Sequence, residues 1–257
     1  MIYYKTLEEV EIIKESGQIL GRAHAEVAKL VAPGVRTDHL DKVAEEFIRD
    51  HGGEPSFKNY NGFPSTLCIS VNENVVHGFP STYELSDGDI ISVDCGVKYK
   101  GYHSDSAYTY PIGSVSDEIL QLLRVTKESL YRGIEAAVHG NRIGDIGYAV
   151  QNYVESFGYG VVRELVGHGV GQNLHESPEV PNYGRRGRGT QLKEGLVIAI
   201  EPMVNLGGKQ VVQEDDGWTI RTKDRKPSAH YEHMVAIWKD KTEILTTHQY
   251  IEEVITV

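Results

Sequence analysis

The chain has 257 residues, 40% of them hydrophobic and 25% charged, so it can bury a substantial core and lies within the range of one large or two small domains. A net charge of −11 argues against a nucleic-acid-binding protein as a whole. Two cysteines, Cys68 and Cys95, exclude a disulfide framework or a cysteine-rich zinc site; no apolar run approaches about 18 residues and Met1 to Lys5 opens no signal segment, so a cytoplasmic protein is expected.

Thr6 and Glu9 form a capping box, and Val10, Ile13, Ile19 and Leu20 continue at mostly helical spacing, which predicts a helix from about Leu7 to the stop at Pro33-Gly34. Thr37 is placed to cap a second helix, with Leu40, Val43, Ala44, Phe47 and Ile48 as its apolar stripe and Gly52-Gly53 as its end. Short β-rich stretches follow at Thr66 to Val71 and at Val75-Val76. Asp89 to Asp94 is an apolar run ending on an acid; the chain then turns at Lys100-Gly101 and returns to Asp105, the pattern of a β-hairpin. A hairpin centred between Tyr99 and Lys100 sets Asp94 directly opposite Asp105 near its open end, with Cβ atoms roughly 4.5–5.5 Å apart. Like charges that close, beside an Ile/Val strand, need a proton or a cation between them; a solvated pair at a strand end is the plainer alternative. Helical patterns resume at Ser116, with Ile119, Leu120, Leu123 and Leu130 before Gly140, and again from Asp145 to Phe157 before Gly158. Gly195 to Glu201, Trp218 to Arg221 and His230 to Trp238 then read as strands.

The order helix, helix, strands thus occurs twice. Leu85 to Asp94 aligns with Leu192 to Glu201, and Gly34 to Gly52 aligns with Gly140 to Gly158 at nearly the same offset. These matches predict an α+β fold of two pseudo-twofold-related halves, about 7–110 and 116–245, within one domain whose mostly antiparallel sheet is covered by helices. Asp94 and Glu201 then occupy equivalent strand ends facing the symmetry axis.

Gly167-His168-Gly169-Val170-Gly171 places a histidine where glycines let backbone approach closely, without the spacing of a dinucleotide site. Alone, a histidine such as His168 is more often a packed or capping residue than a ligand. Glu232 lies in a run of strand character, where a buried acid needs a partner. Together Asp94, Asp105, His168, Glu201 and Glu232 make an oxygen-rich set with one imidazole, suited to two divalent ions such as Mn²⁺, Fe²⁺ or Co²⁺.

These residues, with Cys68-Ile69-Ser70-Val71-Asn72-Glu73, His77-Gly78, His175-Glu176-Ser177-Pro178, Glu201-Pro202-Met203 and Tyr231-Glu232-His233, resemble the type I methionine aminopeptidases of the pita-bread metallopeptidase fold, over essentially the whole chain. The resemblance implies two divalent ions per chain, of cobalt, manganese, iron or zinc. Asp105 and Glu232 would bridge them, His168 and Glu201 would complete one, and Asp94 would chelate the other. It also implies that His77 and His175 contact the substrate, and that Tyr60, Phe63, Cys68 and Trp218 hold a methionine side chain. Phe63 stands where many relatives carry tyrosine, and Leu174 where phenylalanine is also found. The implied activity is removal of the N-terminal methionine of nascent proteins and peptides through a metal-bridging hydroxide, with His175 on the developing oxyanion, His77 on the scissile amide and Glu201 accepting the proton. A proline-specific peptidase of the aminopeptidase P or prolidase kind shares the five ligands and is the alternative, but usually carries an additional N-terminal domain. A non-catalytic binding protein of this fold is the other alternative. A monomer without membrane or DNA partners is expected. Lys209, Arg221, Lys223, Arg225 and Lys226 form a basic stretch, readable as a solvated turn offset by Glu214, Asp215 and Asp216 or as a transient dock on ribosomal RNA.

Overall fold

The structure, a computed structural model, describes residues 1–255. The capping box at Thr6 and Glu9 forms as the sequence predicts and starts α1 (Leu7–Ala28), which ends at Lys29, before reaching Pro33. α2 (Thr37–Asp50) starts on Arg36 with no side-chain cap. Thr37, expected as the cap, lies one residue inside, and its hydroxyl is committed to Ser81, donating to the carbonyl and accepting from the amide. Strands β1 (Glu54–Pro55), β2 (Leu67–Val71) and β3 (Asn74–Val76) lead to the long hairpin of β4 (Ile90–Tyr99) and β5 (Tyr102–Pro111). Then come α3 (Asp117–Ala136), capped by Ser116, and α4 (Ile143–Glu155). α4 begins two residues before Asp145, whose carboxylate reaches back to accept from the Arg142 amide. The remaining elements are β6 (Gly160–Val161), β7 (Gly167–Gly169), β8 (Glu176–Val180), β9 (Val197–Ile200), β10 (Met203–Asn205), β11 (Val211–Gln213), β12 (Ile220–Thr222), β13 (Ser228–His230), β14 (His233–Ile237), β15 (Thr242–Ile244) and α5 (Gln249–Ile255).

The hairpin register differs from the sequence expectation. Lys100 and Gly101 both have left-handed backbone, with φ of 48° and 86°, and together form the two-residue loop that a right-twisted hairpin favours. Tyr99 therefore pairs with Tyr102, Asp94 with Ala107 and Asp105 with Gly96. The two aspartates sit in mid-strand as diagonal neighbours on one face, rather than directly opposite near the open end.

Every ladder between these strands is antiparallel, as predicted, but the hydrogen bonds divide them into four sheets rather than one. β4 carries β5 on one edge and β2 and β1 on the other; β15-β14-β9-β7-β8 forms the second large sheet. α1 packs on the hairpin, and α3 packs on α4, β9 and β10. Their apolar stripes close over the sheets in one continuous core that includes Leu20, Ile48, Ile91, Val93, Leu122, Ile146 and Ile198. Each such fully buried side chain contributes about 1.5–3 kcal/mol, so this layer holds the site strands rigidly against each other. Among the described residues no helix is long and apolar enough to cross a membrane.

Candidate active site

Five predicted donors converge from separate elements. Asp94 comes from β4, Asp105 from β5 and His168 from β7, while Glu201 stands just past the end of β9. Asp94 and Glu201 are therefore not at equivalent strand ends, because β4 runs on through its acid and β9 stops before its own. The continuous strand expected from His230 to Trp238 is also broken, at Tyr231-Glu232 between β13 and β14. β5 causes the break. The Glu232 amide donates to the Ala107 carbonyl at 3.0 Å, the Glu232 carbonyl accepts from Ser106 Oγ at 2.9 Å, and Tyr231 donates its hydroxyl to the Thr109 carbonyl at 2.9 Å. With its backbone held this way, Glu232 brings its carboxylate to Asp105.

Ligand atoms of Asp105, His168 and Glu232 all lie within 4.8 Å of one another. His168 Nε2 is 3.6 Å from Glu201 Oε1 and 3.9 Å from Asp105 Oδ2. His168 Nδ1 donates to the Gly169 carbonyl at 2.9 Å, which leaves Nε2 with its lone pair facing the carboxylates. Burial, and next the nearby His175, pushes His168 down to about 3, so the ring is neutral. Burial lifts Asp94 to about 7 and Glu201 to about 8. Asp105 and Glu232 are driven well above the usual carboxylate range, by burial first and then by the neighbouring carboxylates. Among the described residues no lysine or arginine comes within ion-pair distance of these four acids; only histidines do. Asp94 Oδ1, Asp105 Oδ1 and Glu232 Oε1 are buried without any hydrogen-bond partner. Orphaned anionic oxygens beside a free imidazole lone pair fit a divalent cation, which would supply the missing counter-charge.

The cluster lines a cavity of about 270 Å³ whose walls include every predicted site residue: the five donors, His77, His175, Tyr60, Phe63, Cys68 and Trp218. In the same cavity Phe63 packs edge-on to Trp218 at 5.3 Å and stacks on Phe79 at 5.4 Å, with Cys68, the cross-strand partner of Asp94, and Leu174 buried in the same apolar group. His175 Nδ1 lies 2.9 Å from the Tyr60 hydroxyl, and its ring is 4.2 Å from that of His168. His77 follows β3 with a left-handed φ of 60°, uncommon for a side chain with a Cβ. Burial, reinforced by His230, lowers it to about 4. The Cys68 thiol is pushed far up by burial and by Asp94, so it stays protonated and is no nucleophile.

Metallopeptidase family M24 matches residues 11–239. The chain belongs to this family. A methionine aminopeptidase of Clostridium perfringens is 53% identical to the M24 chain, over 96% of this chain and 99% of that protein. The crystal structure of a methionine aminopeptidase from Thermotoga maritima has a TM-score of 0.94 and 42% identity, covering 96% of this chain and all of that one. A prolidase from Pyrococcus furiosus is more distant, with a TM-score of 0.78 and 26% identity, and this chain spans only 65% of it. The pita-bread fold and the type I methionine aminopeptidase branch follow, and a metallopeptidase of this family binds divalent metal.

The M24 chain also places residues in its site that sequence reasoning missed. Phe57 and Asn61 line the cavity beside Tyr60 and Phe63, and the aromatic density of Phe57 to Phe63 was a readable signal. His230 is fully buried with both ring nitrogens unpartnered, and its Nε2 is 3.6 Å from Glu201 Oε2. Nothing local marked it, because its neighbour Glu201 is distant in sequence. The basic stretch is smaller than the sequence suggests. Arg221 is largely buried and paired with Glu214, and Arg225 pairs with Glu73 at 3.4 Å, while Lys209, Lys223 and Lys226 are exposed.

Proposed function

We propose that this chain is a dinuclear metallo-aminopeptidase that removes the N-terminal methionine from nascent proteins and peptides. One observation carries the reading: a single cavity is lined both by four carboxylates that meet no lysine or arginine among the described residues and by an apolar aromatic wall. The names of its close relatives support it. Asp94, Asp105, His168, Glu201 and Glu232 would hold two divalent ions of cobalt, manganese, iron or zinc. Ions held there would supply Lewis acidity and a nucleophile drawn from water near neutral pH. Tyr60, Phe63, Cys68 and Trp218 bury the unbranched methionine side chain and exclude water. His175, oriented by the Tyr60 hydroxyl, donates to the substrate carbonyl as negative charge develops. His77 contacts the scissile amide. Glu201 accepts the proton and passes it to the departing amine.

The chain would work as one catalytic domain of two repeats, about 7–110 and 116–245. The order α1, α2, β4 recurs as α3, α4, β9, each helix pair preceding a strand that leads to a site acid. We place it in the cytoplasm as a monomer, in keeping with two free buried cysteines. The exposed Lys209, Lys223 and Lys226, with Arg225, would dock weakly on ribosomal RNA. Changing all four to glutamate should abolish low-salt co-sedimentation with ribosomes; equal pelleting of both proteins leaves a solvated turn.

Peptide hydrolysis by the metal-loaded chain tests the main reading. Met-Ala-Ser should be cleaved, and Lys-Ala-Ser should not. Equal rates on the two would refute the methionine pocket, and preferential cleavage of X-Pro peptides would establish the proline-specific alternative.

A further inference from the structure

We infer that the buried ion pair between Lys5 and Glu176 positions His175, which makes Lys5 a positioning residue for the reaction. This rests on the substrate role proposed above for His175. Lys5 Nζ is 2.5 Å from Glu176 Oε2, and both side chains are only 4% exposed. Among the described residues no other pairing of lysine or arginine with a carboxylate is buried on both sides. Lys5 Nζ also donates to the Tyr3 carbonyl at 3.2 Å. Its own amide donates to the Gly195 carbonyl, and Ile2 and Tyr4 form isolated bridges to Ser177 and Leu196. The N-terminal strap is thus fixed before Lys5 reaches Glu176.

From there the restraint passes into the turn that carries His175. Glu176 Oε1 accepts from the Asn173 amide at 3.2 Å, and the Gly171 amide donates to the Asn173 carbonyl at 3.1 Å. Gly171 makes room for the pair, because a Cβ there would stand 2.5 Å from Lys5 Cε and 2.7 Å from Glu176 Oε1. That explains the last glycine of the Gly167 to Gly171 motif, which the donor cluster does not use. An ion pair this deep is a poor source of net stability, since an apolar pair of similar volume serves as well or better. What it provides is a directed contact, one residue from a ring that must sit against both Tyr60 and His168.

The test is a double-mutant cycle on the metal-loaded chain with a Met-Ala-Ser peptide. Lys5→Met should lower kcat roughly 10–100-fold, the scale of a misplaced contact group, with KM changed by less than about threefold. Metal affinity, measured by calorimetry, should be equally unmoved. In a His175→Ala background the same substitution should lower kcat no further. An equal factor in both backgrounds, or wild-type kcat in folded Lys5→Met, overturns the positioning role alone. Wild-type kcat in His175→Ala overturns the substrate role of His175 and this inference with it. If Lys5→Met does not fold, Lys5→Met/Glu176→Gln, which leaves no charge buried alone, takes its place in the cycle.

Discussion

Asp105 and Ser106 are neighbours on β5, and Glu232 and His233 are neighbours in the segment beside it, yet they serve two buried polar clusters of opposite character. In front lie Asp94, Asp105, Glu201 and Glu232, three of them with an orphaned oxygen and, among the described residues, with no lysine or arginine in ion-pair reach. Behind lie His24, His233 and His248. His24 Nε2 is 2.9 Å from the Ser106 carbonyl, His233 Nδ1 is 2.8 Å from Thr246 Oγ1, and His248 Nε2 is 3.3 Å from Ser106 Oγ, with the His233 and His248 rings stacked at 3.8 Å. His24 and His248 each keep one unpaired ring nitrogen, which a neutral imidazole tolerates far better than a carboxylate tolerates a missing counter-charge. Both sides lie largely out of solvent, so charge without a partner, rather than polarity, marks the reactive one.

Breaking the front cluster should have the largest effect. Glu232→Ala or Asp105→Ala should abolish turnover and most metal binding, whereas Asp94→Ala should chiefly weaken one of the two ions. Because each alanine removes a buried unpartnered acid, the metal-free variants should melt no lower than wild type at pH 8. Wild-type turnover in Glu232→Ala would break the contrast.

The clusters should also divide the pH dependence of stability. Asp94 is raised to about 7 and Glu201 to about 8, so the folded chain keeps protons that the unfolded chain has released by about pH 5. Where the folded state binds more protons, stability falls as pH rises. In thermal melts of the metal-free chain these acids should therefore lower Tm from about pH 5 through about pH 8, and a saturating divalent metal should remove that contribution. A flat metal-free profile over this window would mean that the front acids are not held protonated.

The histidines behind act on the other limb, with a smaller effect per residue. Burial lowers His24 to about 4 and His233 to about 3. Their contribution is complete above the unfolded value near 6.5 and is lost as pH falls from there through about 4 to 3. His24→Leu should cost about 1–3 kcal/mol at pH 7.5, because the Ser106 carbonyl loses its donor. The same variant should show a shallower acid limb and keep turnover within about threefold, since no substrate contact is involved. Loss of turnover matching that of Glu232→Ala would merge the two clusters into one functional unit.

Strand alternation, the capping box at Thr6, the two-residue turn at Lys100-Gly101 and the acids at Asp94, Asp105 and Glu232 were all legible in the sequence, because each depends on spacing within a few residues. The resemblance to a known family brought His77, His175 and the aromatic wall, which no local pattern would have singled out. The register of the hairpin was misread by two residues. A loop needs two left-handed positions before the first pair closes, and this turns facing carboxylates into diagonal ones. Only the tertiary structure decided that Glu232 leaves its strand, that His230 stands against Glu201, and that Lys5 lies against Glu176. Periodicity records which side of an element faces inward, but it carries no distance between elements. Those distances are set by how the core packs, and there a backbone carbonyl at Ala107 takes the Glu232 amide out of regular pairing and sends its carboxylate to the site.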